Sequence, residues 1–366
     1  MTQPRQARQA NTAAVLQLLA RRGPVARSDI AKALALNHGS VGRIIEPLLT
    51  AGIVRELTEQ PGRIGRPRVP VELNPSSRHA VGVHLGLERT TVGLTDLAGR
   101  CVERYAEERD PSDAAATLRR AAELAATTAA SAPGPVLGVG VITGGEVDRA
   151  AGRVVRHDAL GWTGVDVATP LRAGTGLDVV VDSNVRAHLG AELTFGAAPA
   201  EHSVLYLFVG NVAEMGFVAT ASDTIVQGTV GRILVPGLTG GHARFGECGT
   251  DRALLAAARS AGLTVTSLPD LLRLADDADP AATRLLEARS TQVALLADTL
   301  HDLTGAGLIL LGGSGAPSDH WLDAVRDRAE AVPPEALVRP RSGPDSLVMA
   351  AAGLVVRGFL ATGVAA

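Results

Sequence analysis

The sequence predicts an α/β protein in two parts, a small helical head and a larger two-lobed body. Three observations carry that expectation. Three short runs of helical periodicity fill residues 11–50. From Ala80 onward, strand-like and helix-like runs alternate. Charge also changes sign between the parts: residues 1–74 hold 11 Lys or Arg against 5 Asp or Glu, a net of +6, and the remainder hold 24 against 33, a net of −9. With 366 residues, 46% hydrophobic and 20% charged, the chain has a globular composition, which argues against disorder and allows two or three domains. A basic head on an acidic body confines any nucleic-acid contact to the head.

The head begins at Asn11, where Val15, Leu16, Leu18 and Leu19 make one apolar face that ends near Gly23-Pro24. A second helix follows, with Ser28 as its expected N-cap, Asp29 in the first turn, and Ile30, Ala31 and Leu34 facing inward. After a tight break at Ala35-Leu36-Asn37, a third helix is expected from about His38 to Thr50, closed by Gly52. Pro47 inside it should cost a hydrogen bond or bend it. Two short helices joined by a brief turn have helix-turn-helix spacing. The third helix would then lie in a DNA major groove, offering Asn37, His38, Gly39, Ser40 and Arg43, with Arg27 and Ser28 at the start of the preceding helix. Arg43 suits guanine or phosphate equally.

Two short strands, Ile53-Val54 and Val69–Val71, flank a Gly- and Arg-rich tip from Gln60 to Arg68. Such a wing carries Arg63, Arg66 and Arg68 toward phosphates or a narrow minor groove. A solvated loop is the bland alternative, and its place beside a helix-turn-helix favours DNA contact. Asn74-Pro75-Ser76-Ser77 reads as a hinge. The expected domains are a head over 1–73, a linker over 74–79 and a body over 80–366. Cys101 and Cys248 are too far apart and too few for a disulfide framework. No apolar run approaches a membrane span, and Met1 to Ala10 has no secretory character, so a cytoplasmic protein is expected.

In the body, strands are expected at Ala80–Leu85, Thr91–Leu94 and around Arg100–Arg109, then an alanine-rich helix over about Ser112–Ala130. A buried strand at Val136–Ile142 runs into Thr143-Gly144-Gly145, and another at Val179–Val181 precedes a helix reaching about Leu193. Val204–Val209 opens a second set of strands. The remainder is mostly helical, with a strand at Leu308–Leu311 entering Gly312-Gly313-Ser314-Gly315. Two successive sheet units suggest two lobes with a ligand cleft between them.

Gly65-Arg66-Pro67-Arg68, Gly145-Glu146-Val147-Asp148, Gly161-Trp162, Val181-Asp182-Ser183-Asn184 and Gly312-Gly313 follow one another in the order and spacing of a known family. Over nearly its whole length the chain resembles the ROK family of repressors, open reading frames and sugar kinases. The resemblance implies a winged helix-turn-helix followed by a two-lobed actin/hexokinase-like (ribonuclease H-like) domain. It also implies a ligand site at Gly144, Gly145, Asp182, Asn184 and Arg232.

The family's catalytic and metal motifs are damaged here. Its phosphate turn, Asp-x-Gly-Gly-Thr-Lys, reads His84-Leu85-Gly86-Leu87-Glu88-Arg89, which puts a bulky group and a carboxylate where backbone N–H groups must approach phosphate. The second turn, Gly-Thr-Gly, reads Gly210-Asn211-Val212. The general base is retained as Asp182. That residue also fits an N-cap or a sugar-hydroxyl acceptor, and the damaged turns favour these two over catalysis. Of four zinc ligands only Cys248 remains; His242, seven residues after Val235, would restore one at most, so no metal and no cofactor are expected. Sugar-contacting positions fall on Arg232, Val235, Leu255 and Val181, a set that would leave hexose hydroxyls unpaired. Arg232 either attracts an anionic sugar derivative or points to solvent.

The expected function is DNA-binding transcriptional regulation, with repression as its sense. The body would sense a carbohydrate-type effector or serve dimerisation. An even-numbered homo-oligomer, a dimer or tetramer, would bind a two-fold double-stranded DNA operator. The competing readings are an ATP-dependent sugar kinase using Asp182, and a ligand-independent repressor with a scaffold body.

Overall fold

A computed structural model describes residues 4–57, 69–108, 113–196, 202–220, 222, 224–238, 240–340, 343 and 345–362. Two compact units divide the chain, one of residues 1–197 with 342–366 and one of residues 198–341.

The first unit opens with α1 (Pro4–Arg22), β1 (Val25–Ala26), α2 (Arg27–Ala33), α3 (His38–Thr50), β2 (Val54–Glu56) and β3 (Pro70–Leu73). The strands form an antiparallel sheet in the order β1-β3-β2, so three helices back onto a small sheet as in a winged helix. The wing, 58–68, with Arg63, Arg66 and Arg68, lies outside the described residues. Val41, Ile44, Ile45 and Leu48 of α3 are buried against Val15, Leu16 and Leu19 of α1 and Ile30 of α2. Each such side chain contributes about 1.5–3 kcal/mol on burial. Pro47 stands on the exposed side of α3, which continues to Thr50 without a break. The turn between α2 and α3 is closed by Ala35 in the left-handed region, φ 51°.

Two expectations for the head need correction. Ser28 is not the cap of α2: Ala26 is, without a side-chain bond. Pairing of Ala26 with Pro70 in the sheet fixes the extended residue there, so the helix starts one residue beyond it. Helix α1 also starts at Pro4 rather than near Asn11. Its first turns carry no apolar stripe; Gln9 Nε2 instead donates to the carbonyl of Thr362, 3.2 Å away at the end of the C-terminal helix Ser346–Thr362.

That C-terminal helix ties the head to the first sheet of the body. Its Ala352, Val356 and Leu360 share one core with α1, α3, Ala80 and Leu97. The stretch 74–79 is bonded on both sides: Asn74 Nδ2 donates to the Gly52 carbonyl at 2.8 Å, and the Leu97 N–H donates to the Pro75 carbonyl at 3.0 Å.

The rest of the first unit comprises β4 (His79–Leu85), β5 (Arg89–Asp96), β6 (Cys101–Glu108), α4 (Ala114–Ala130), β7 (Val136–Thr143), a three-stranded flap of β8 (Glu146–Asp148), β9 (Arg153–His157) and β10 (Trp162–Asp166), then α5 (Ala168–Thr175), β11 (Val179–Ser183) and α6 (Asn184–Phe195). The main sheet runs β11-β7-β4-β5-β6, with β4, β5 and β6 antiparallel and β7 and β11 parallel to β4. One face packs on α4 and α5; the other takes the C-terminal helix, whose backbone comes so close to Gly82 and Gly140 that a Cβ at either would strike it.

The second unit repeats the plan. It contains β12 (Val204–Val209), β13 (Ala213–Val218), β14 (Val226–Thr229), a small hairpin of β15 (Leu234–Pro236) and β16 (His242–Arg244), then α7 (Phe245–Cys248), α8 (Asp251–Ser260), α9 (Leu268–Asp276), α10 (Pro280–Thr304), β17 (Leu308–Gly313), α11 (Asp319–Arg326) and β18 (Leu337–Val338). Its sheet runs β14-β13-β12-β17-β18, again three antiparallel strands followed by two parallel to the first. Helix α10 covers it with Val293, Leu296, Ala297 and Leu300; Asp279 caps its start and left-handed Gly305 ends it. Each unit thus holds one ribonuclease H-like sheet.

Candidate functional site

Helix α3 shows its first turn to solvent. Asn37, His38, Gly39 and Arg43 are exposed and Ser40 is half-buried. Asn37 caps the helix, its side-chain oxygen accepting from the Ser40 N–H at 2.8 Å. Arg43 reaches Ser40 Oγ at 3.4 Å, one turn back. Arg27 and Ser28, expected with this group, are used elsewhere. The Arg27 guanidinium spans Glu46 Oε1 at 2.9 Å and Glu56 Oε1 at 2.8 Å, so its charge is compensated within the head. The hydroxyl oxygen of Ser28 is buried.

In the first unit, strand register assembles a second site. Leu85, Thr143 and Ser183 lie side by side at the carboxyl ends of β4, β7 and β11. The turn after β4, the Gly144-Gly145 turn and the start of α6 therefore share one edge, the usual ligand edge of such sheets. Gly145 takes φ 79°, and a Cβ on Gly144 would meet His157 Nε2 at 3.0 Å, so the turn lies directly on the β9 histidine.

Asp182 is nearly fully buried here, and its carboxylate is held from two sides. Oδ1 accepts from the Ser183 N–H at 2.7 Å and from Arg186 Nε at 2.5 Å; Oδ2 lies 3.8 Å from Arg149 Nη1. The N-cap reading is thereby corrected: the cap of α6 is Ser183, and Asp182 pairs with Arg186 one turn on. Asn184 Oδ1 is buried with no hydrogen-bond partner among the described residues. Arg186 was legible as an i,i+4 partner of Asp182. Nothing in the sequence marked Arg149, which the β8–β9 turn brings back across the sheet edge. Arg232 belongs to the other unit and is exposed between β14 and β15.

The two altered phosphate turns are tight hairpins closed on themselves. Between β4 and β5 the Gly86 N–H donates to the Arg89 carbonyl at 3.0 Å, Leu87 packs on the core, and Glu88 is exposed. Between β12 and β13 the Gly210 N–H donates to the Val212 carbonyl at 2.9 Å, and the Asp251 N–H donates back to the Gly210 carbonyl, also at 2.9 Å. Both leading N–H groups are thus committed within the chain. Around the former zinc motif, Val235 and Cys248 are buried and His242 is exposed. The Cys248 sulfur accepts from Gln292 Nε2 at 3.3 Å, and burial pushes its thiol pKa up. No group of three or more potential metal ligands occurs among the described residues.

A winged helix carried on two ribonuclease H-like lobes, with the sugar-kinase motifs in order but altered, defines a class of regulator built on a kinase fold. The chain belongs to the ROK family, whose profile matches residues 80–353. It is 32% identical to Transcriptional regulator Rv0485 of Mycobacterium tuberculosis over 333 residues, 82% of this chain and 74% of that protein. It is 25% identical to a xylose repressor of Caldicellulosiruptor bescii over 207 residues, 56% of this chain and 52% of the repressor. Among solved structures, a ROK family transcriptional regulator described as a homologue of the Escherichia coli MLC protein superposes with a TM-score of 0.75 at 21% identity, covering 98% of this chain and 97% of that one. A ROK glucokinase from Streptomyces griseus, solved with glucose and AMPPNP, gives 0.63 at 21% identity, covering 75% of this chain and 98% of the enzyme. The protein is a DNA-binding transcriptional regulator of this family. No helix among the described residues is long and apolar enough to cross a membrane.

Proposed function

We propose that this regulator is a repressor that has given up phosphoryl transfer. The observation that carries the second half is the closure of both phosphate turns, whose leading N–H groups bond to their own hairpins. A nucleotide would have to break these bonds and approach Glu88. Asp182, the candidate base, is committed to two arginines and so serves better as a positioning group than as a proton acceptor.

In this reading the exposed turn of α3 enters the major groove and Arg63, Arg66 and Arg68 of the wing reach the backbone or minor groove. Heads paired in an even-numbered oligomer read half-sites ~10 bp apart or a multiple of that. The effector is a carbohydrate derivative held at Gly144, Gly145, Asp182 and Asn184. Arg149 and Arg186 favour an anionic effector, such as a sugar acid or sugar phosphate. Its binding shifts repression only to the extent that it prefers one state of the protein.

The test is a thermal-shift panel of neutral sugars, sugar acids, sugar phosphates and Mg-ATP, run alongside DNA binding. A ligand of the folded state must raise the melting temperature. Stabilisation by an acidic sugar with release of DNA is the expected result. Stabilisation by Mg-ATP together with sugar phosphorylation lost in Asp182→Ala would overturn the reading. A blank panel with intact DNA binding would leave the body a scaffold.

A further inference from the structure

The first turns of α1 run beside the start of α3 and leave an open notch of about 560 Å³ between them. Ala7, Arg8, Asn11, Ser40, Arg43 and Ile44 line it. Two guanidinium groups, an amide and a hydroxyl therefore face one space, and none of its lining residues is acidic. Arg8 and Arg43 are both exposed, while Ile44 is buried and Ala7 is small, so the polar groups stand at the rim. The walls are firm. Helix α1 is anchored by Val15, Leu16 and Leu19, and its start is held by the Gln9 bond to Thr362. On the opposite wall Ser40 is fixed by the Asn37 cap.

We propose that this notch clamps one phosphate of the DNA backbone, with Arg8 and Arg43 on either side and Asn11 and Ser40 as neutral donors. The proposal rests on the DNA-binding reading and deepens it. A phosphodiester carries one negative charge on two unesterified oxygens, which guanidinium N–H groups match in pairs. The notch lies alongside the turn of α3 that the major groove would receive, where the flanking backbone passes. Arg43 leans toward Ser40 and into the notch. It thus fixes the register of α3 on the duplex and does not read a base. The polar start of α1, which carries no core residue, has its purpose in placing Arg8.

The full chain would be titrated with two duplexes across a KCl series: one selected by the wild type from a random library, and a scrambled control. Each phosphate contact adds about 0.9 to the slope of log K against log salt. Arg8→Ala is expected to weaken both duplexes by the same factor, roughly tenfold, and to lower the slope by about 1. Arg8→Lys should retain the slope. Arg43→Ala should behave like Arg8→Ala, and the double variant should lose about 1 in slope rather than 2, because the clamp holds its one phosphate only when both guanidinium groups are in place. An unchanged slope in Arg8→Ala, with melting unaltered, overturns the clamp. So does relaxed preference at one base pair in Arg43→Ala, or a loss of 2 in the double variant. Inorganic phosphate that stabilises the wild type but not Arg8→Ala, and competes with DNA beyond chloride at equal ionic strength, would assign the notch to a free anion instead. A wild type that binds neither duplex at low salt would overturn the DNA reading itself.

Discussion

The two lobes follow one strand order, and each keeps an Asp–Arg pair near the ends of its strands. In the second lobe Asp251 Oδ1 lies 2.7 Å from Arg289 Nη2 and accepts from Ser314 Oγ at 2.6 Å, while the Ser314 N–H donates to the Val209 carbonyl at 2.7 Å. Arg289 is only 4% exposed, so this pair acts as a bolt joining α8, α10 and the end of β17 to the β12 turn. Its Asp251 is 22% exposed, so the buried member is the cation; in the first lobe the buried member is the anion, Asp182, while Arg186 is 23% exposed and Arg149 61%. One lobe buries its cation, and the other keeps two cations within reach of solvent.

The largest expected effect breaks the bolt. Asp251→Ala leaves Arg289 as a buried, uncompensated cation. Removing one partner of such a pair costs about 3–5 kcal/mol. Calorimetry of the full chain should show the transition of the second unit falling by roughly 10 °C. A shift under ~2 °C would mean that Arg289 finds another partner or water, and the contrast between the lobes would lose its basis.

Mild acid, between pH 6.5 and about 4, should act on the first unit instead. Both histidines that burial holds toward the neutral form, His79 on β4 and His188 on α6, belong to it. Burial lowers the His188 pKa from 6.5 to about 4. The unfolded chain thus takes up a proton on this side chain before the folded one does. The stability gained from keeping it neutral is full above pH 6.5 and is lost progressively as pH falls toward 4, on the order of 3 kcal/mol in all. Asp96 works the other way at the acid end, since burial pushes its carboxyl up. Subtracting a His188→Gln profile from that of the wild type therefore isolates the histidine. The substitution should flatten the acid limb of the first unit's transition and leave the second unit's unchanged.

Asp182→Asn, in the open pair, should be milder than Asp251→Ala, about 1–2 kcal/mol, because water can take up the part of Arg186 that is freed. A cost equal to that of Asp251→Ala, read on the same calorimeter, would erase the difference between the lobes.

The same contrast shows what was legible in the chain. Repeated patterns with local causes could be read: the α3 face of Val41, Ile44, Ile45 and Leu48, the strands leading into Gly144-Gly145 and Gly312-Gly313, and the losses at Leu87 and Val212. Features set by distant partners could not. The extension of α1 to Pro4 depends on a contact with Thr362, and the diversion of Arg27 depends on Glu46 and Glu56 meeting it from two other elements. The β8–β10 flap and strands β13 and β14 are short and interrupted by glycine or polar residues, so period-2 alternation is weak there, and the sheet that stabilises them is assembled from remote segments. At the candidate site, Asp182 and Asn184 came from the motif. Arg149 came only from the fold.

The smallest expected effects compare the two hairpins directly. In the first, a Cβ on Gly86 would meet His84 Cε1 at 2.8 Å and the Arg89 carbonyl oxygen at 3.0 Å. The carbonyl is the acceptor that closes the turn, so it cannot withdraw without losing that bond. In the second, a Cβ on Gly210 would meet the Phe208 ring at 3.1 Å and Asp251 Oδ2 at 4.0 Å. The ring can swing by a few tenths of an ångström, and no backbone atom stands in the way. Gly86→Ala should therefore cost about 1–2 kcal/mol and Gly210→Ala less than about 1 kcal/mol, read from chemical denaturation of each unit's transition. The reverse order would mean that the Gly86 turn yields more easily than its closing bond implies. The first lobe would then keep some freedom at this turn, and the case against nucleotide binding there would rest on Leu87 and Glu88, beside the separate closure of the Gly210 turn.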